Sequence, residues 1–187
     1  MAMEIIERRL VYDRWSRFSE VKVRMPNGAV ETRIVEDHGC AAAVLLYDPD
    51  RRVALLVRQP RAPVMAMGEQ SVLEVVAGRL DAKSAEDTAR AEAWEEAGVR
   101  VGTLDHVATL WSMPAVSTER IHLFLAAYAQ ADHVGEGGGA DDENEGITVE
   151  EVSLSRLRAM AASGELSDAK TFTLAQALML RRPDLFD

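Results

Sequence analysis

Gly78-Arg79-Leu80-Asp81, followed closely by Ser84-Ala85-Glu86-Asp87-Thr88-Ala89-Arg90-Ala91-Glu92-Ala93-Trp94-Glu95-Glu96-Ala97-Gly98-Val99, is the stretch that decides the reading. Ser84 suits a helix N-cap, Glu86 and Asp87 place acidic charge in the first turn, and Gly98 suits the C′ position. The spacing therefore predicts a helix from Ser84 to Ala97. Glu92 and Glu96 fall on one face of it, with Glu95 beside them. Like charges at that spacing repel, and the helix macrodipole disfavours anions near the C-terminus. A helix built only for stability would carry lysine there. A hard divalent cation, which takes oxygen ligands, removes both penalties. A solvated acidic helix face is the competing reading.

A second acidic cluster, Asp141, Asp142, Glu143 and Glu145, follows the glycines at 137 to 139. Two acidic clusters from distant parts of the chain could close on the same ions. Read as a calcium loop, the cluster fails at position twelve, where Val152 stands in place of the required bidentate glutamate. An acidic loop without a ligand is the other alternative. Three consecutive glycines are costly to order, so the segment from about Gly135 to Gly146 is expected to be mobile without substrate.

Outward from these clusters the chain reads as a mixed sheet covered by helices. Val21, Val23 and Met25 alternate with Lys22 and Arg24, Pro26-Asn27-Gly28 signals a hairpin, and Val30 to Val35 returns. Cys40 to Tyr47 is a continuous apolar run suited to a strand buried on both faces, and Val53 to Val57 follows the turn Asp48-Pro49-Asp50. Val107 to Trp111, Ile121 to Tyr128 and Ile147 to Val152 read as further strands. Leu154 to Ala162 and Lys170 to Leu180 read as helices. The intermingling predicts an α/β fold.

Composition bounds the partners. The 187 residues are one domain's worth, 48% hydrophobic and 28% charged, enough to bury a core. Lys and Arg total 21 against 31 Asp and Glu, a formal charge of −10, which opposes a nucleic-acid partner and a polybasic membrane contact. A phosphate-bearing small ligand stays open, since a few arginines and a metal serve it locally. Cys40 is the only cysteine, so neither an intramolecular disulfide nor a cysteine zinc site is possible, and a core thiol is expected. His38, His106, His122 and His133 show no ligand spacing. Glu4, Glu7, Arg8 and Arg9 interrupt the first apolar residues and no membrane-length apolar run occurs, so a soluble cytoplasmic protein is expected.

The stretch from Gly78 to Val99 resembles a Nudix box, whose usual form is G-x5-E-x7-R-E-U-x-E-E-x-G-U with U apolar. Glu92 to Val99 match its second half. The spacing from Gly78 to Glu92 is one residue short, Ala91 stands at the usual arginine, and Ser84 stands at the first glutamate. A box shortened in this way is similar to that of the GDP-mannose pyrophosphatase branch of the ADP-ribose-pyrophosphatase-like group. Val57-Arg58-Gln59-Pro60-Arg61 resembles that group's V-R-Q-aromatic-R segment, with Pro60 in place of the aromatic. Met113 to Glu119 resembles its S-P-G-G-x-[ST]-E loop, with Ala115 and Val116 in place of the glycines. Gly137 to Glu145 resembles its acidic loop, and Leu166 to Thr171 its I-x-D-x-K-T turn.

The resemblance implies an α/β/α sandwich with a mixed sheet, spanning 37–187, preceded by a small antiparallel β element, 1–36, that joins a homodimer. It implies Mg²⁺-dependent hydrolysis (Mn²⁺ a substitute) of the diphosphate bond in a nucleoside diphosphate sugar, GDP-mannose foremost and ADP-ribose as the alternative. Carried over residue by residue, the Ala77 carbonyl, Glu92, Glu96 and Glu145 hold metal, with Glu95 close by. Glu143 is then the general base or the group that orients the water, with Glu145 as the alternative base. Arg58 and Arg61 clamp the diphosphate. Glu119 binds substrate, and Trp15 and Arg33 reach the nucleobase from the partner subunit. A degenerate nucleotide-binding domain without turnover and an acidic calcium module are the alternatives from other classes.

Overall fold

The computed structural model describes residues 2–139 and 146–186. Its described residues divide into two units: those up to Ala41 with Thr109–Ile121, and Ala42–Ala108 with the residues from His122 on. In the first unit, β1 (Glu4–Asp13), β2 (Arg17–Arg24) and β3 (Val30–Asp37) form an antiparallel sheet with β2 in the centre. Pro26-Asn27-Gly28 makes the β2–β3 turn: Gly28 adopts φ +87 and the Met25 N–H bonds the Ala29 carbonyl at 2.7 Å. β1 falls within the β element 1–36 that the resemblance implies, although nothing in its own residues marks it as a strand. It carries no apolar alternation that a core could use, being exposed along its whole length. Its register on β2 is marked by the cross-strand pairs Glu4–Arg24, Glu7–Lys22 and Arg9–Glu20.

The second unit is built on β4 (Ala41–Asp48), in which Ala42 to Leu46 are completely buried. Burial of successive residues means that both faces of the strand are covered. β5 (Val53–Gln59) runs antiparallel to it. The chain then passes through a short helix, α1 (Ala62–Ala66), to β6 (Val72–Glu74) and β7 (Val76–Arg79). Next come α2 (Ala85–Ala97), β8 (Asp105–Trp111), β9 (Arg120–Ala127), β10 (Thr148–Ser153), α3 (Leu154–Ser163) and α4 (Ala169–Arg181). The sheet order is β10-β5-β4-β9-β8, with β6 paired to β5 and β7 paired to β4. α1, β6 and β7 are too short to show a period and were not foreseen.

α2 lays Ala85, Ala89, Ala93 and Ala97, spaced one per turn, against Val44, Leu46, Leu55, Val57 and Phe124. Four alanines let the helix approach the sheet closely. The alternate residues Ala43, Leu45 and Leu56 are buried on the other face, and α3, packed on α4, lies against β5 and β10. The result is the expected α/β/α sandwich on a mixed sheet.

The caps of α2 are those the sequence indicates. Ser84 Oγ accepts the Asp87 N–H at 3.0 Å, and Gly98 sits in the left-handed region with its N–H on the Trp94 carbonyl. The glycine run docks on the end of α2. The Gly138 N–H donates to the Glu96 carbonyl at 2.8 Å and the Gly139 N–H to the Glu95 carbonyl at 3.0 Å. A Cβ on Gly137 would stand 2.3 Å from the Glu96 carbonyl oxygen. Gly137 therefore has no room for a side chain, and the segment from Gly135 to Gly139 docks on the C-terminus of α2. The rest of the segment expected to be mobile, up to Glu145, lies outside the described residues.

Candidate active site

The site grows from the contact between β7 and the last two turns of α2. The helix periodicity turns Glu96 inward, where it is 3% exposed and accepts the Ala77 N–H at 3.1 Å through Oε2. Glu92, one turn earlier, lies along Gly78: a Cβ built there would stand 1.8 Å from its Oε1. Gly78 is thus the space the Glu92 carboxylate occupies. Glu95 points outward and is exposed. The structure therefore brings Ala77, Glu92 and Glu96 together, as the sequence indicates. Docking of the glycine run sets the Gly138 and Gly139 N–H groups on the carbonyls of Glu96 and Glu95 at the same helix end. These N–H groups satisfy carbonyls that a lysine would otherwise attend, and the last turn of α2 carries no basic side chain.

Carboxylate and carbonyl oxygens are hard donors of the kind a Mg²⁺-sized cation takes, so the residues present suit such an ion. Among the described residues no three His, Cys, Asp or Glu side chains gather closely enough to hold a metal by themselves. Glu143 and Glu145 lie outside the described residues.

The two arginines have different settings. Arg58 pairs with Glu150 across the β5–β10 ladder, both partly exposed. Arg61 donates from Nε to Glu74 Oε1 at 2.8 Å, and Glu74, at 3% exposed, also accepts from Lys170 Nζ. Lys170 bonds Asp168 Oδ1 at 2.9 Å, and Asp168 caps α4 by accepting the Thr171 N–H at 2.9 Å. Glu74 and Lys170 are partners of Arg61 that the sequence did not reveal. The available signal was a lone carboxylate inside the apolar run Val72-Leu73-Glu74-Val75-Val76, since unpaired charges are not buried.

Trp15, Arg33 and Glu119 belong to the first unit. Arg33, on β3, pairs with Glu31. Trp15 is 71% exposed and stacks on His38 at 5.2 Å between ring centroids. His38 bridges two carboxylates, Nδ1 to Glu36 at 2.6 Å and Nε2 to Glu119 at 3.1 Å. Burial opposes the charged ring, but the bonds to Glu36 and Glu119 outweigh it and hold His38 above the ordinary histidine range. Burial likewise opposes the Glu36 carboxylate, yet hydrogen bonds from Ser16, Ser117 and His38 hold it below its ordinary value. His38 thus joins two residues that the sequence reading singled out, through a histidine it did not.

A family model described as the NUDIX domain matches residues 37–184. The chain belongs to the Nudix family. This Nudix chain is 35% identical over 185 residues to the GDP-mannose pyrophosphatase of Pectobacterium atrosepticum, covering 96% of the chain and 95% of the relative. It is 40% identical over 151 residues to the GDP-mannose pyrophosphatase of Cronobacter sakazakii, covering 80% and 78%. A crystal structure titled ADP compounds hydrolase shares its fold, with a TM-score of 0.78 over 97% of this chain and 95% of that one, at 16% identity. Among the described residues no helix is long and apolar enough to cross a membrane.

Proposed function

We propose that this Nudix chain hydrolyses the diphosphate bond of a nucleoside diphosphate sugar, GDP-mannose foremost, to a nucleoside monophosphate and a sugar phosphate. The observation that carries the reading is the packing of Glu92 on Gly78 and of Glu96 on the Ala77 N–H. It commits two carboxylates to one short strand segment, in a chain whose full-length relatives are named GDP-mannose pyrophosphatases.

When bound, Mg²⁺ (or Mn²⁺) would polarise the phosphoryl oxygens and acidify the attacking water. The Ala77 carbonyl, Glu92 and Glu96 would hold it, with Glu95 beside them and Glu145 arriving from the acidic loop. Glu143 accepts the proton of the water as its oxygen bonds to phosphorus. The bridging P–O bond breaks, and the leaving phosphate carries away the electron pair. Arg61, fixed by Glu74, offers its guanidinium to the diphosphate, and Arg58, near the end of β5, offers a second contact. Trp15 and Arg33 serve the nucleoside from a partner subunit of a cytoplasmic homodimer joined through residues 1–36, with 37–187 as the hydrolase domain, and Glu119 is a further substrate contact.

The test is a panel of GDP-mannose, ADP-ribose and other nucleoside diphosphate sugars with Mg²⁺, with products separated by chromatography. Preferred release of GMP and mannose 1-phosphate, dependent on divalent metal and lost in Glu96→Gln, supports the reading. Preference for ADP-ribose moves the substrate within the class. Absence of turnover on every member refutes it.

A further inference from the structure

β6 and β7 are one extended segment that changes partner: Val72 to Glu74 pair with β5, and Val76 to Arg79 pair with β4. At Val75 the segment belongs to neither ladder, and Val75 is buried. A buried backbone N–H without a strand partner must be satisfied otherwise. Thr171, at the start of α4 and wholly buried, accepts the Val75 N–H on Oγ1 at 2.7 Å. Its hydroxyl proton goes to Asp168 Oδ2 at 2.6 Å, so the hydroxyl is fixed as acceptor toward Val75. Two residues on, the Ala77 N–H goes to Glu96. The segment carrying Ala77 is therefore held by two side chains, one from each helical layer. The adjacent Glu74 carboxylate is held by Lys170 from the same turn of α4 and in turn holds Arg61.

We propose that the Asp168–Lys170–Thr171 turn is a positioning device for both halves of the site. Thr171 sets the Val75–Ala77 backbone for metal, and Glu74, braced by Lys170, sets Arg61 for the diphosphate. The proposal rests on the metal and diphosphate roles given above. Partners one layer out from metal ligands commonly change affinity when removed, and a cation pair without its shared carboxylate separates.

The test uses the full chain with Thr171→Val, which removes the hydroxyl at nearly constant shape, Thr171→Ser, which keeps it, and Glu74→Gln. Each is checked for folding by circular dichroism, titrated with Mn²⁺ in the absence of substrate, and assayed with GDP-mannose. In Thr171→Val the Mn²⁺ dissociation constant rises about tenfold or more, while Thr171→Ser stays within about threefold of wild type. In Glu74→Gln the KM rises about tenfold with kcat and Mn²⁺ affinity nearly kept.

A folded Thr171→Val with wild-type Mn²⁺ affinity, or a Thr171→Ser as impaired as Thr171→Val, overturns the role of Thr171. An unchanged KM in Glu74→Gln overturns the role of Glu74. If one variant does not fold the other decides, and if neither folds the turn is a core element and the proposal fails. Wild type that binds Mn²⁺ but hydrolyses no nucleoside diphosphate sugar refutes the proposed function alone, leaving the Mn²⁺ comparison to judge Thr171. Wild type that binds no Mn²⁺ refutes both.

Discussion

Gly78→Ala separates the chemistry of Glu92 from the stability of the fold. The new methyl carbon would stand 1.8 Å from Glu92 Oε1, 2.1 Å from Cδ and 2.8 Å from Cγ. Comfortable contact begins at 3.4 Å, so the carboxylate moves by about 1.6 Å. All three crowded atoms belong to the end of a flexible side chain, and the Gly78 backbone is not left-handed. The chain therefore relieves the clash by turning Glu92 away, at about 1 kcal/mol or less and roughly 2–4 °C in Tm. A metal ligand tolerates far less displacement, and a misplacement of about 1 Å commonly costs about 10²-fold in rate. We expect kcat to fall about 10²-fold and the Mg²⁺ concentration for half-maximal rate to rise, with the melting curve nearly unchanged. Steady-state kinetics across a Mg²⁺ series, with a calorimetric melt of the same sample, measures both. A folded Gly78→Ala enzyme with kcat within about threefold of wild type would refute the assignment of Glu92 as a ligand.

Gly137→Ala meets a different obstacle, the Glu96 carbonyl oxygen at 2.3 Å, at a φ of +68 that an alanine adopts only under strain. The backbone must yield, so a loss of about 2 kcal/mol and roughly 4–8 °C in Tm is expected together with loss of turnover; an unchanged melt would show that the loop does not dock on α2 in solution. His38 gives a pH dependence. Its folded pKa lies above the ordinary 6.5, so its contribution is complete below that value and is lost as pH rises through the folded pKa. Glu36, lowered from 4.5, contributes above that value and loses its contribution as pH falls through its folded pKa. Stability, followed by thermal melts from pH 4 to 9, should therefore gain from this pair most between about 4.5 and 6.5 and weaken above it. His38→Gln should remove the upper limb; a variant that keeps it would assign the limb to another group.

What the sequence carried by itself was local or periodic. Ser84 and Gly98 bound α2 because capping needs only residues within one turn. The unbroken apolar run of β4 announced burial on both faces because no partner need be known to see that every side chain avoids water. The spacing of Glu92 and Glu96 was legible for the same reason, and so was their conflict with the helix dipole. Tertiary structure decided what depends on residues far apart in the chain. Glu74 and Lys170 meet across ninety-six positions, and no local rule foretells that a buried carboxylate will find its cations there. Gly137 reads in sequence as freedom, and in the structure it is also clearance for the end of α2, which only the neighbouring backbone decides. β6 and β7 escaped because three or four residues are too few for a period, and their partner change exists only where β5 and β4 already lie side by side.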